Sequence, residues 1–134
     1  MATTHRINPV DLNNITYKII GAAYKVHSAL GAGLLERIYE EAMIMQLVED
    51  GLKVESQVVL PVYYRGRKLS SEFRLDLLVE GEVIVELKSV SEVTDLFRKQ
   101  LLTYLKIADK PVGLLINFNV KSLDDGITRI GNFY

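Results

Sequence analysis

The sequence predicts an α/β domain whose elements follow the order helix, helix, strand, strand, strand, helix, strand. Three observations support this fold class: helical periodicity up to residue 50, a segment from 52 to 88 rich in Val, Leu and Tyr, and renewed helical periodicity before a final apolar run. At 134 residues the chain has the usual size of one domain. We therefore expect one domain over residues 1–134, with helices packed on a mixed sheet.

Two helices are predicted in the N-terminal part of the chain. Apolar residues at helical spacing indicate the first from about Asp11 to Leu30, and Asn8-Pro9 is a plausible start. The glycines of segment 31–33 break this pattern. A second helix follows, antiparallel to the first, and Gly51 marks its C-terminal end.

The next part of the chain predicts a sheet and a third helix. Turn signals in RGRK and EGE divide residues 52–88 into three or four antiparallel strands. A helix follows through Leu101 and Leu105 and ends at Lys110-Pro111, because the residue before a proline disfavours helix. The continuous apolar run VGLLINF is typical of a strand that is covered on both faces.

Composition excludes several classes of protein. With 49% hydrophobic and 25% charged residues, the chain is neither disordered nor collagen-like. The absence of cysteine excludes disulfides, thiolate nucleophiles, zinc ribbons and iron–sulfur clusters, so oxygen must be the main ligand of any metal. The net charge of −1 argues against a non-specific polyanion binder. No apolar run is long enough to span a membrane, and residues 1–14 lack the apolar centre of a signal peptide, so we expect a cytoplasmic protein without membrane contact.

An otherwise aliphatic hairpin carries charged residues at strand positions. Such charges cost several kcal/mol unless they are paired, bind a metal or lie at a wet edge. If residues 80–82 form a three-residue loop, Asp76 lies beside Glu86 on one side of the hairpin. The other side then consists of three aliphatic pairs: Val79 with Val83, Leu77 with Val85, and Leu75 with Leu87.

This hairpin predicts a metal site. The neighbouring carboxylates of Asp76 and Glu86 repel each other, so they share a proton or hold a hard cation such as Mg²⁺. Lys88 cannot ligate a metal while it is charged, but it can orient an attacking water or stabilise negative charge on a phosphate. We place this site at an edge of the sheet. The alternative is a ladder of salt bridges that also includes Arg74.

The same residues carry a family resemblance. Asp76, the turn and Glu86-Leu87-Lys88 resemble the D…(D/E)xK motif of the PD-(D/E)XK nuclease superfamily, whose common core has the order αβββαβ. Gln100 and Tyr104 resemble the QxxxY motif on the next helix in the RecB-type and lambda-exonuclease-type branch. Glu36, on an earlier helix, resembles the acidic residue that this superfamily often adds to its metal site.

A closer resemblance covers nearly the whole chain. The phrase GLLERIYE, with Gly33, Glu36 and Tyr39, is similar to the signature of the small bacterial GxxExxY family. The phrases LLINFNV and DGITRI also resemble the C-terminal part of that family. Many relatives are expected to have histidine at the position of Phe97.

The resemblance implies a three-layer, restriction-endonuclease-like fold and Mg²⁺-dependent hydrolysis of DNA phosphodiester bonds, with Mn²⁺ as a substitute and RNA as an alternative substrate. It implies that Asp76, Glu86 and the Leu87 carbonyl bind the metal, and that Glu36 binds it directly or through water. Lys88 would then orient the nucleophilic water. The resemblance gives Gln100 and Tyr104 a supporting role around this site.

Each of these residues also has a structural interpretation. An acid such as Glu36 stabilises the first turn of a helix, and Gln100 with Tyr104 forms an ordinary half-buried polar stripe. We expect His27 and Tyr39 to pack rather than to ligate. Four cations lie on a hairpin that we expect near the proposed site, and they suit either a nucleic-acid backbone or solvent: Arg65, Arg67, Lys68 and Arg74.

Two other functions stay open at this stage. The first is a non-catalytic module that keeps the nuclease fold and binds nucleic acid or protein, with homodimerisation supplying the surface that so short a chain lacks. The second is a hydrolase that acts on a smaller phosphodiester. Metal-dependent cleavage that Glu86→Gln or Lys88→Ala abolishes would distinguish the nuclease from the non-catalytic module.

Overall fold

A computed structural model describes residues 7–132 of the chain. Residues 1–6, part of the stretch on which the expectation of no signal peptide rests, and residues 133–134 lie outside the described part. Within it no helix is both long and apolar enough to cross a bilayer. The elements are α1 (Pro9–Leu30), α2 (Glu36–Glu49), β1 (Val54–Tyr64), β2 (Arg67–Val79), β3 (Val83–Lys88), α3 (Asp95–Ala108), β4 (Val112–Asn117) and β5 (Ile127–Gly131).

The helices begin and end close to the predicted positions. The Asn8 side chain accepts a hydrogen bond of 2.8 Å from the Val10 amide, which satisfies one of the free N–H groups at the start of α1. Gly31 follows its last residue with a φ of 73°. Helix α3 ends at Ala108, and Asp109 takes a left-handed conformation there, before the predicted stop at Lys110-Pro111.

The strands form one mixed sheet in the order β1-β2-β3-β4-β5. β3 and β4 are parallel, and the other neighbours are antiparallel. Helices α1 and α2 pack on one face and α3 packs on the other, with one buried apolar cluster on each side. This three-layer α/β arrangement confirms the predicted fold class. The strand β5 was not predicted, because its five residues, four half-buried and one exposed, show no strong apolar alternation.

The loop of the β2–β3 hairpin is as predicted. Leu77 pairs with Val85 and Val79 with Val83, which confirms the three-residue loop. The predicted pair of Leu75 with Leu87 is wrong, however. Leu75 packs in the cluster on the side of α3, whereas Leu77 and Leu87 pack in the cluster on the side of α1 and α2. The alternation of β2 therefore changes at Asp76, between Leu75 and Leu77.

The predicted location at a sheet edge is also wrong. β2 lies between β1 and β3, and β3 lies between β2 and β4, so both strands are interior. The charged residues occupy the place where β2 and β3 stop pairing, just beyond Leu77 and Val85. A sequence pattern does not reveal this, because strand order depends on contacts between distant segments.

Candidate active site

Asp76 and Glu86 are joined through each other's backbone. The Asp76 amide donates a hydrogen bond of 2.8 Å to Glu86 Oε2, and the Leu87 amide donates one of 2.8 Å to Asp76 Oδ2. These bonds replace the strand-to-strand pairing that ends at Leu77 and Val85. The two carboxylates are thereby held side by side where the strands diverge, and the Leu87 peptide lies beside them.

Burial makes the ionised forms of this pair costly. The Glu86 side chain is only 6% exposed, and burial together with the Asp76 charge raises its pKa to about 8, against the Asp76 amide and the Lys88 charge, which lower it. Burial also raises the pKa of Asp76, and nearby acids add to the effect, while the Leu87 amide and Lys88 oppose it. A buried and a half-buried carboxylate that repel each other in this way form a site that a cation would stabilise.

Lys88 is the cation that the sequence analysis predicts beside this pair. Its positive charge lowers the pKa of both carboxyl groups. The ammonium group lies 4.7 Å from the centre of the Phe97 ring, within the range of a cation–π contact. Phe97, at the position where many relatives are expected to have a histidine, thus contacts the Lys88 side chain.

Helix α3 places one of its two predicted site residues near the carboxylates. Tyr104 is 5% exposed and its ring centre lies 5.0 Å from that of Phe73 on β2. Burial raises the pKa of its hydroxyl, and the charges of Glu86 and Asp76 raise it further, so the three groups are close. Gln100 lies one turn earlier and is half-buried, and its side chain forms no hydrogen bond with any of the described residues.

Glu36 is the first residue of helix α2 and is exposed. Its charge contributes to the raised pKa of Asp76, although burial and the Glu40 charge contribute more.

Tyr39 braces the loop that precedes helix α2. The Tyr39 hydroxyl donates to the Gly31 carbonyl at 2.6 Å and accepts from the Leu34 amide at 3.1 Å. Its fully buried ring stacks on Phe118 at 4.4 Å between centres. Tyr39 therefore packs, as expected.

Two residues near the site were missed by the sequence analysis. Glu40 lies one helical turn after Glu36. Both of its carboxylate oxygens accept a hydrogen bond from the side-chain amide of Gln57, at 2.9 and 3.2 Å. Gln57 stands opposite Asp76 at an interruption of the β1–β2 pairing and has a φ of 51°. Burial is the largest cause of the raised pKa of Asp76, and the charge of Glu40 raises it further. The Glu40 charge also raises the pKa of Glu86. The i,i+4 spacing from Glu36 is the signal that could have identified it.

Polar groups fix the chain immediately after Lys88. The Ser89 hydroxyl donates to the Leu34 carbonyl at 2.5 Å, which ties the end of β3 to the loop before α2. The buried side chain of Asn117 bonds to both the amide and the carbonyl of Val90, at 3.1 and 2.9 Å. Sequence analysis did not identify these residues, because their partners are distant along the chain.

The donor set suits a hard divalent cation only in part. Two carboxylates and a peptide carbonyl are oxygen ligands of the kind that Mg²⁺ prefers. Between residues 7 and 132, however, no three Asp, Glu, His or Cys side chains converge closely enough to hold a metal, so Glu36 does not join Asp76 and Glu86. His27 lies elsewhere, with its Nε2 atom 2.8 Å from the Val120 carbonyl oxygen.

The match to a family model decides the family. The model of the PD-(D/E)XK nuclease superfamily matches residues 13–130, nearly the whole chain. The chain belongs to this superfamily. Comparisons with curated proteins and with solved structures found no match. Membership of the PD-(D/E)XK superfamily agrees with the mixed sheet and with the position of Asp76 and Glu86 on adjacent strands.

Proposed function

We propose that this PD-(D/E)XK protein is a Mg²⁺-dependent nuclease that hydrolyses phosphodiester bonds of DNA, and that residues 1–134 act as one domain of the GxxExxY group. The observation that carries the proposal is the pair of half-buried Asp76 and buried Glu86, held by two reciprocal hydrogen bonds of 2.8 Å with Lys88 beside it. Buried like charges are retained at a cost in stability, and such a cost is typical of active sites.

In this proposal each residue has a distinct role. Asp76, Glu86 and the Leu87 carbonyl hold the cation, and Glu36, which does not converge with them, contributes through a bound water. When bound, Mg²⁺ supplies positive charge that favours hydroxide over water and neutralises the phosphate. The Lys88 ammonium, steadied by the Phe97 ring, orients the attacking water or a phosphate oxygen. Tyr104, on α3, limits the movement of the two carboxylates. Gln100, on the same helix, positions the phosphate.

The test is cleavage of linear and circular DNA by the purified protein, with Mg²⁺, with Mn²⁺ and with EDTA. Cleavage should require the metal and should be abolished in Glu86→Gln, which keeps an oxygen to accept the bond from the Asp76 amide. Lys121→Ala, an exposed cation in the loop after β4, is a matched control and should cleave as wild type does. Cleavage that persists in Glu86→Gln would rule out this site. Mn²⁺-soaked crystals with an anomalous map test the ligand set directly.

A second candidate is a module that binds nucleic acid or protein without catalysis. It is favoured by the lack, in the described part of the chain, of a third acidic side chain close enough to complete a metal site. Under this proposal Mn²⁺ would neither bind at Asp76 and Glu86 nor raise the melting temperature. Homodimerisation stays a prediction, which sedimentation at several protein concentrations tests.

A further inference from the structure

The β1–β2 hairpin extends well beyond the rest of the sheet. β3 pairs with β2 only at residues 77–79, whereas β1 follows β2 out to Tyr64 and Arg67. Every residue from 63 to 72 is exposed. We call residues 61–72 the arm. Among residues 7–132 no other strand pairs with either edge of the arm, so the arm is a two-stranded ribbon with both faces open.

The arm carries a set of side chains that its own fold does not use. Tyr63 and Tyr64, adjacent on β1, are 63% and 65% exposed. Among the described residues, Arg65, Arg67 and Lys68 form no salt bridge. The arm has one acid, Glu72, and it lies 3.7 Å from Arg74 just below. A chain with a net charge of −1 thus concentrates unpaired positive charge and aromatic surface at one tip.

The backbone of the arm also indicates a specific shape. The turn residues Arg65 and Gly66 have φ values of 51° and 79°, which is the conformation of a tight hairpin turn. A register shift between Pro61 and Tyr63 bends the ribbon below its tip. Together, Pro61 and this irregularity disfavour the addition of another strand at the open edge of β1.

We propose that the arm binds duplex DNA by lying in its major groove, with its cations on the phosphates, while the same duplex reaches the carboxylate pair at the base of β2. The proposal rests on the proposed function, and it names the form of the substrate. The major groove of B-form DNA admits a two-stranded ribbon, whereas that of an RNA duplex is deep and narrow. Unpaired arginine and lysine complement the negative backbone on either side of the groove.

The length of the arm sets the size of the substrate. Lys68 precedes Asp76 by eight positions on β2, so the two lie about 26 Å apart along the strand. Measured along a duplex axis, this distance corresponds to about eight base pairs, at about 3.4 Å each. A mononucleotide or another small phosphodiester cannot bridge this distance, so a substrate of that class would not use the arm.

Three substitutions remove the charge of the arm while keeping its fold. Arg65→Asn places the favoured Asn-Gly pair in the turn, and Arg67→Thr and Lys68→Thr suit a strand. The matched controls are Lys18→Ala and Tyr17→Ser on α1, where both residues are exposed. A further variant, Tyr63→Thr with Tyr64→Thr, removes the aromatic surface. A thermal melt checks that each variant is folded.

Binding is measured by fluorescence anisotropy in EDTA, so that it does not depend on cleavage. The probes are labelled DNA duplexes of six and sixteen base pairs, the corresponding sixteen-base-pair RNA duplex, and one single strand. Wild type should bind the long DNA duplex at least tenfold more tightly than any other probe. The triple variant should lose this preference, and its slope of log affinity against log salt should fall by about three, near one per removed cation. The controls should bind as wild type does.

Several outcomes would overturn the proposal. Equal binding by the triple variant and Lys18→Ala would show that the arm takes no part, and so would equal binding of DNA and RNA duplexes. A preference for the single strand that is lost in the Tyr63/Tyr64 variant would assign the arm to base stacking instead. A change of sedimentation coefficient in the triple variant would make the arm a contact between two copies. If wild type binds DNA through the arm but does not cleave it, only the proposed nuclease function is contradicted. If wild type and the triple variant cleave and bind DNA equally well, only the proposed role of the arm is contradicted.

Discussion

Asp76 and Glu86 bind each other's strand rather than each other: Glu86 Oε2 accepts from the Asp76 amide and Asp76 Oδ2 accepts from the Leu87 amide, both at 2.8 Å. Each carboxylate therefore keeps one oxygen outside this exchange. The bonds also explain why substitution by an amide is informative at both positions. Asn and Gln retain an oxygen that accepts the same backbone bond, so these variants change the charge with little change in geometry.

A division of roles between Asp76 and Lys88 is the first prediction. Asp76→Ala should lose both Mn²⁺ binding and turnover, because it removes a proposed ligand. Lys88→Ala should still bind Mn²⁺ but lose at least about 100-fold in rate, because the lysine acts on the reacting groups. Calorimetry with Mn²⁺ and a single-turnover cleavage assay measure the two effects. If Lys88→Ala loses metal affinity as completely as Asp76→Ala, the division is wrong.

The stability of the metal-free protein is the second prediction. Above pH 8, where Glu86 is ionised in the folded protein, neutralising it relieves repulsion with Asp76, so Glu86→Gln should melt higher than wild type in EDTA at pH 8.5 while it loses activity. Saturating Mn²⁺ should stabilise wild type by about 2.7 kcal/mol at one hundred times the dissociation constant, and the variant much less. Thermal melts in both conditions test this. A variant that melts lower in EDTA and responds to Mn²⁺ as wild type does would indicate ordinary salt-bridge partners.

The third prediction is a pH dependence. Burial and the Asp76 charge raise the pKa of Glu86 from 4.5 to about 8 in the folded protein. Below about pH 4.5 the group is protonated in both states, and between pH 4.5 and 8 only the unfolded chain loses the proton. Metal-free stability should therefore fall as pH rises through this window, and Glu86→Gln should lack this fall. Chemical denaturation of both proteins from pH 5 to pH 8.5 measures the difference.

The third prediction has a second part: Mn²⁺ binding should show the opposite trend over the same pH range. The cation requires the ionised carboxylate, so its affinity should rise towards pH 8 and binding should release a proton. Calorimetry in two buffers of different ionisation enthalpy counts this proton. Proton release that is the same in wild type and Glu86→Gln would contradict the assignment of the raised pKa to Glu86.

The parts of this fold that follow from local pattern were predictable. Helical spacing located α1, α2 and α3, and the register of the hairpin loop followed from the alternation around Val79 and Val83. The change of alternation at Asp76 was not predictable, because it depends on Gln57 of the neighbouring strand. The interior position of the site depends in turn on β4, which joins the sheet beside β3 from late in the chain.

Tyr39 supplies the fourth prediction. Its hydroxyl is the partner of the Gly31 carbonyl and the Leu34 amide, both in the loop before Glu36. Tyr39→Phe leaves these backbone groups without that partner and should lower the free energy of unfolding by about 1–3 kcal/mol. Tyr24→Phe is the control, because the Tyr24 hydroxyl bonds to Asp124 at the surface, where the loss should be within about 0.5 kcal/mol. Urea denaturation compares the two, and equal losses would contradict a bracing role for Tyr39.

The last prediction concerns which acid of α2 acts on the site. Burial is the largest cause of the raised pKa of Asp76 and of Glu86, and the charge of Glu40 raises both further. The side-chain amide of Gln57, which lies opposite Asp76, donates a hydrogen bond to the Glu40 carboxylate. Glu40→Gln should therefore weaken Mn²⁺ binding by about tenfold or more, as loss of an outer partner of a metal site does. Glu41→Gln, exposed and next in the helix, removes the same charge without this contact and should bind Mn²⁺ as wild type does. Calorimetry on both variants and on Glu36→Gln decides between the acids. A larger loss in Glu36→Gln than in Glu40→Gln would return the helix-borne role to Glu36, and equal affinities in Glu40→Gln and Glu41→Gln would make the Glu40–Gln57 contact purely structural.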